Sequence, residues 1–247
     1  MDKKQEDIVY SAKVGQTKVE GKTYKEFTLN YLSAIKEIYK ELPDVQRLKA
    51  YIEYFVDNFS YDKSMRDNKL NKKNKKDPTK DDKERELFEL FYTGKGVCEQ
   101  FSVGFALLCQ LDEDLDKSFD VYLADCKIKT DKIMDHALNL LNSSNGIMLI
   151  DISAMIHCKE KDNVGDIWDY GVVTIEKYIE NQKRNDFEII PNGSNGKTYL
   201  LTYKNNSTKD IKGYYDVLTE TAEKLNNELR DKWFTVDISS YFEELNI

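Results

Sequence analysis

The chain has 247 residues, enough for one large domain that buries roughly 70–75% of its unfolded surface without disulfides or a structural metal. Hydrophobic residues make up 40% and aromatics 12%, with only 11 Gly and 3 Pro, which excludes disordered, collagen-like and linker-like classes. A net charge of −8, with 32 Lys against only five Arg (Arg47, Arg66, Arg85, Arg184, Arg230), argues against a nucleic-acid surface and against direct base readout.

Met1 to Glu20 is charged and holds no apolar run of signal-peptide length. No stretch of ~18 apolar residues occurs, so no membrane span is expected. A cytoplasmic protein is the expectation, with secretion the alternative if a leader has been removed. Leu29, Leu32, Ile35, Ile38 and Tyr39 recur at helical spacing, and Pro43 is expected to stop that pattern. A second helix places Leu48, Tyr51, Ile52, Phe55 and Phe59 on one face. Residues 63–83 carry nine Lys or Arg against four Asp and almost no apolar side chains. That segment predicts a long exposed loop, either simply solvated or a flap that attracts an acidic partner.

A short helix is expected from Glu84 to Tyr92, broken at Gly94 and Gly96. Phe101, Phe105, Leu108 and Cys109 then form an apolar stripe that marks a helix buried in the core. Three strands are predicted at Phe119–Ile128, Met134–Leu141 and Ile147–Ile152, followed by a helix near Ile175–Gln182. Strands around Phe187–Ile190 and Tyr199–Tyr203, a helix from Tyr214 to Leu229 and a strand at Phe234–Ile238 complete the chain. Helices first and strands later predict an α+β domain.

Four cysteines stand at Cys98, Cys109, Cys126 and Cys158, with no Cys-x-x-Cys spacing. On one helix Cys98 and Cys109 lie about 16 Å apart, too far to pair. His157–Cys158 lacks partners for a metal, so no metal site is expected. Cys109, Cys126 and Cys158 read as small buried hydrophobes. Cys98 differs, because it opens the buried helix directly after a glycine pair. First-turn amides lack helical partners, and the helix dipole adds about half a positive charge there. Both stabilise a thiolate, so Cys98 reads either as a nucleophile or as a residue that simply packs at a helix start.

The chain has two histidines, His136 and His157, and His136 falls within a predicted strand. Asn142-Ser143-Ser144-Asn145-Gly146 has the composition of a turn leading to the strand that carries Asp151. A hairpin centred between Ser143 and Ser144 sets Asp151 directly opposite His136. A centre one residue later makes Asp151 a diagonal neighbour on the same face. Asp135 points to the other face of its strand, and Asp125 is the weaker alternative acid.

The run Tyr92-Thr93-Gly94-Lys95-Gly96-Val97-Cys98-Glu99-Gln100-Phe101, with its helix, then His136-Ala137 and Leu149-Ile150-Asp151, resembles the transglutaminase-like superfamily. Tyr51 to Asp62 resembles that family's entry helix and its aromatic-Tyr-Asp end. The resemblance covers roughly residues 45–155, with 156–247 an unrecognised extension of the same single domain. Leu138, and Ile147 and Met148, stand where the family often has Trp, so the pocket walls are expected to differ.

The resemblance implies a papain-like α+β core with the nucleophile helix packed on an antiparallel sheet. It implies a cofactor-free cysteine enzyme, with Cys98 as nucleophile, His136 as base and acid, and Asp151 as the orienting carboxylate. The Cys98 amide would stabilise the oxyanion; Tyr61, placed just after the entry helix, reads either as a second donor through its hydroxyl or as a packing residue. The substrate is expected to be a protein or peptide. An acyl-enzyme opened by water gives a peptidase, amidase or deamidase, the expected outcome; one opened by an amine gives a protein-glutamine crosslinking transglutaminase. A non-catalytic protein-binding module on the same fold is the third reading. The Lys-to-Arg ratio suggests an AT-rich genome and agrees with a bacterial source.

Overall fold

The computed structural model describes residues 8–71, 80–129, 133–143, 146–160, 168–173, 188–189 and 201–203. The expected helices near 175–182 and 214–229 and the strand at 234–238 lie outside these residues.

The chain enters through a hairpin of β1 (Tyr10–Val14) and β2 (Thr17–Gly21), turned at Gly15 with φ 59°. A positive φ is costly for any residue with a Cβ, so glycine suits that corner. Thr23 caps α1 (Tyr24–Tyr39) by accepting the Glu26 amide, which buries Phe27, Tyr31, Leu32 and Ile35. Pro43 does not end α1, which has already stopped at Tyr39; it precedes α2 (Asp44–Asn58) as its N-cap. Its fixed φ suits a helix entry, and its missing N–H costs nothing there. Tyr51, Phe55 and Val56 bury the inner face of α2.

The expected loop over 63–83 is corrected in its described parts: after the short strand β3 (Ser60–Tyr61), helix α3 spans Lys63–Asn71 and α4 spans Lys80–Thr93, and residues 72–79 lie outside the described residues. High charge hid a helical preference, since Lys, Arg and Glu are good helix formers when their heads stay in water. Asp62 starts α3 by accepting the Met65 amide at 2.9 Å and the Ser64 hydroxyl at 2.6 Å. Along α4, Arg85 meets Asp82 and Glu89 one turn to either side.

Strand β4 (Lys95–Gly96) pairs in parallel with β3 and feeds α5 (Cys98–Leu111). Every side chain of α5 from Gln100 to Gln110 is buried. The helix packs among α1, α2 and α4 and against the sheet that follows. Phe55, Phe59, Phe91, Phe101 and Phe105 meet edge to face or tilted at 5.1–6.4 Å around it. Each such ring contributes on the order of 1.5–3 kcal/mol by leaving water.

After α6 (Glu113–Ser118) come the long strands β5 (Phe119–Lys129) and β6 (Ile133–Ser143), then β7 (Gly146–Ile150). Helices α7 (Ile152–Lys159) and α8 (Trp168–Gly171) follow, then strands β8 (Val172–Val173), β9 (Glu188–Ile189) and β10 (Leu201–Tyr203). The sheet runs β10-β5-β6-β7-β8, antiparallel throughout, with β9 also on β5. Helices gathered on an antiparallel sheet make the chain α+β. Among the described residues, no helix is long and apolar enough to cross a membrane.

Candidate active site

The site begins where α4 ends. Gly94 takes φ 74°, and its N–H closes the helix on the Leu90 carbonyl at 2.9 Å. Gly96 answers a different need, because a Cβ there would lie 2.9 Å from a Leu90 methyl and 3.1 Å from the Gln100 side-chain oxygen. That close approach lets buried Gln100 reach back and accept the Val97 amide at 2.9 Å while donating to the Glu86 carbonyl at 2.5 Å. The entry to α5 is thereby fixed, and Cys98 is its first residue, half-buried. Cys109 is also a free thiol and is fully buried, whereas Cys158 is only half-buried. Burial pushes the Cys109 thiol well up, helped by the Asp112 charge, so it stays protonated and inert.

His136 projects from β6, and its Nε2 donates to Asp151 Oδ2 at 2.7 Å. Cys98 lies close enough to act on the same ring by charge and hydrogen bonding. Side-chain exposure falls from 12% at His136 to 2% at Asp151, so the couple is largely out of water. Burial alone would pull the imidazole pKa down. The charges of Asp151 and Cys98, with the hydrogen bonds they accept from the ring, outweigh it and hold the pKa well above its ordinary value. Burial likewise opposes the Asp151 charge, but His136, the Ser153 hydroxyl and the Ala154 amide hold its pKa below the ordinary value.

The β6–β7 register pairs Asn139 with Ile150 and Leu140 with Leu149. The hairpin is therefore centred one residue later than direct opposition of His136 and Asp151 requires, and the acid approaches diagonally. The expectation that Asp151 lies within a strand is corrected. Strand β7 ends at Ile150, and Asp151 is the N-cap of α7, its Oδ1 accepting the Ala154 N–H at 3.0 Å. The Ser153 hydroxyl donates to that same oxygen at 2.7 Å. The string Asp-Ile-Ser carries a helix-start signal that outcompeted the apolar run before it. Asp125 pairs in register with Ala137 and Asp135 with Lys127.

Tyr61 comes beside the same group through the β3–β4 pairing, which sets it opposite Gly96. Its phenol is pushed up to about 12 by burial first and by the Cys98 charge second, with His136 and Asp151 also felt. It remains a protonated donor at neutral pH. Its backbone N–H donates to a Glu160 carboxylate oxygen at 3.3 Å, and its ring lies 6.4 Å from that of Phe101. Among the described residues, no group of three or more His, Cys, Asp or Glu side chains gathers in a way that could hold a metal.

A thiol at a helix start, an imidazole on a neighbouring strand and a buried carboxylate behind it thus stand in line on an α+β scaffold. Such a line can move a proton from sulfur to nitrogen and steady the resulting charge. Compared with family models and with curated proteins, the chain finds no match.

Proposed function

We propose that the protein is a cysteine-nucleophile hydrolase of amide or peptide bonds, built on a transglutaminase-like, papain-like core spanning about residues 45–155. The observation that carries this reading is the His136 ring held between the Cys98 thiol and the Asp151 carboxylate, with Asp151 Oδ2 at 2.7 Å. The Cys98 thiolate attacks the carbonyl carbon while the imidazolium keeps the proton. That proton then passes to the leaving nitrogen, and the C–N bond breaks to leave a thioester. Water, deprotonated by His136, opens the thioester and returns the thiol. The Cys98 amide at the helix start, joined by the Tyr61 hydroxyl, stabilises the oxyanion.

Hydrolysis is preferred over amine transfer because Leu138, two residues along β6 from His136, stands where the family's indole wall would exclude water. Water is present at about 55 M, so an amine prevails only in a site shaped to concentrate it. Peptides incubated with the protein and a primary amine, read by mass spectrometry, test this. Cleavage, or a gain of about 1 Da at Gln as amide becomes acid, is expected, and it disappears in Cys98→Ala. Amine adducts as the main product would replace hydrolysis by crosslinking. No turnover of any peptide, with an unreactive Cys98, would leave a binding module on the same fold.

A further inference from the structure

A carboxylate that orients an imidazole needs its plane fixed as well as its position. The backbone of Asp151 is pinned on both sides. Its N–H donates to the Gly171 carbonyl at 2.6 Å, and its own carbonyl accepts the Met155 amide at 3.2 Å. The side chain is then set by χ1, which keeps to staggered wells, and by rotation about Cβ–Cγ, which in Asp is a broad, weakly restrained torsion. Oδ2 is the oxygen on the His136 ring. Oδ1 accepts two donors, the Ala154 amide at 3.0 Å and the Ser153 hydroxyl at 2.7 Å. Two donors on Oδ1 restrain that oxygen more tightly than the Ala154 amide alone.

An N-cap requires only a backbone donor, and the Ala154 amide already meets that need. A serine in the first turn of a helix ordinarily turns its hydroxyl to water. Ser153 is only 5% exposed and spends its proton on a carboxylate that is itself buried. A bond of this kind to an ionised acceptor is shorter and stronger than a neutral one.

We propose that Ser153 is a positioning residue for the acid–imidazole couple: its hydroxyl fixes one oxygen of Asp151 so that the other stays on the His136 ring. This rests on the reading of Cys98, His136 and Asp151 as the working groups. Ser153 acts through Asp151, to which its hydroxyl donates. Among the described residues, the titratable groups felt around the couple include Cys98, His136 and Asp151 themselves, with Tyr61 feeling all three.

Ser153→Ala removes the second donor and Ser153→Thr keeps it. The ring protons of the two histidines, assigned with His157→Gln, report the His136 titration directly by NMR. In Ser153→Ala the His136 midpoint is expected to fall, and Cys98 alkylation by iodoacetamide at about pH 6 to slow about tenfold. Ser153→Thr is expected to restore both. An unmoved midpoint in Ser153→Ala overturns the proposal, as does an equal fall in Ser153→Thr. Unfolding of Ser153→Ala overturns it too, since Ser153 would then serve the fold rather than the couple. A wild-type Cys98 no more reactive than a free thiol would sink the hydrolase reading instead, while the His136 titration still decides on Ser153.

Discussion

Asp151 caps α7 with one carboxylate oxygen and holds the His136 ring with the other, so one side chain joins a structural duty to a chemical one. Asp151→Asn keeps the shape but offers the ring an amide in place of a charge. On the proposed hydrolase function, that substitution is expected to lower turnover on the order of 10³–10⁴-fold, as loss of the orienting acid does in such arrangements, checked by steady-state kinetics on a peptide substrate. The same pair makes stability depend on pH. The folded pKa of Asp151 is lowered, so its contribution is present above 3.8 and is lost as pH falls through the lowered value. The folded pKa of His136 is raised, so its contribution is complete below 6.5 and is lost as pH rises through the raised value. Thermal unfolding should therefore separate wild type from Asp151→Asn most between pH 3.8 and 6.5 and less on either side, and a gap independent of pH would contradict the ion pair. The nearness of Asp151 to His136 was legible, because turn composition and strand parity limit where an acid can meet a given ring. Ser153 was not, since a serine two residues past an apolar run carries no mark of its partner. Only the helix start at Asp151 turns its hydroxyl back.

The element that matters most is the entry to α5, and it depends on two glycines for two reasons. Gly94→Ala forces a Cβ into φ 74° and should cost about 1 kcal/mol, measured by urea denaturation, with Cys98 reactivity little changed. Gly96→Ala instead drives a methyl towards Leu90 and Gln100, so the Val97–Gln100 bond should loosen and reactivity should fall with stability. Equal behaviour of the two variants would refute this division. The buried helix itself was readable from its apolar stripe, and the three strands from their apolar runs. The β1–β2 hairpin escaped notice because its strands carry few large apolar residues among many charges. Helix α3 was hidden for the opposite reason: a Lys-rich run reads as solvent, although solvent-facing helices are made of such residues.

At the scale of the molecule, two anchors hold the helices on which the site depends. Around α5 the aromatic cluster is the larger one, and Phe105→Ala should cost about 3–5 kcal/mol by leaving a void among Phe55 and its neighbours. Beyond the far end of α5, Arg47 pairs with buried Asp112 at 2.8 Å, and Tyr51 donates to the same carboxylate at 2.8 Å. Asp112 also caps α6 through the Leu115 amide at 3.2 Å. Arg47→Ala strands that carboxylate and should cost about 3–5 kcal/mol in urea denaturation, whereas a surface pair such as Lys117–Asp114 should contribute little. This clamp was not legible from sequence, because its members are brought together only by the packing of α2 against α5 and α6. The framework brings Cys98, His136 and the acid from a helix start, a strand and a second helix start into one line. The most direct test is the rate of Cys98 alkylation by iodoacetamide from about pH 5 to 9, located by mass spectrometry, in wild type and His136→Ala. We predict that wild-type Cys98 is labelled at the acid end well ahead of a free thiol and that His136→Ala loses this advantage. Labelling no faster than a free thiol, or equal rates in the two proteins, would contradict the account.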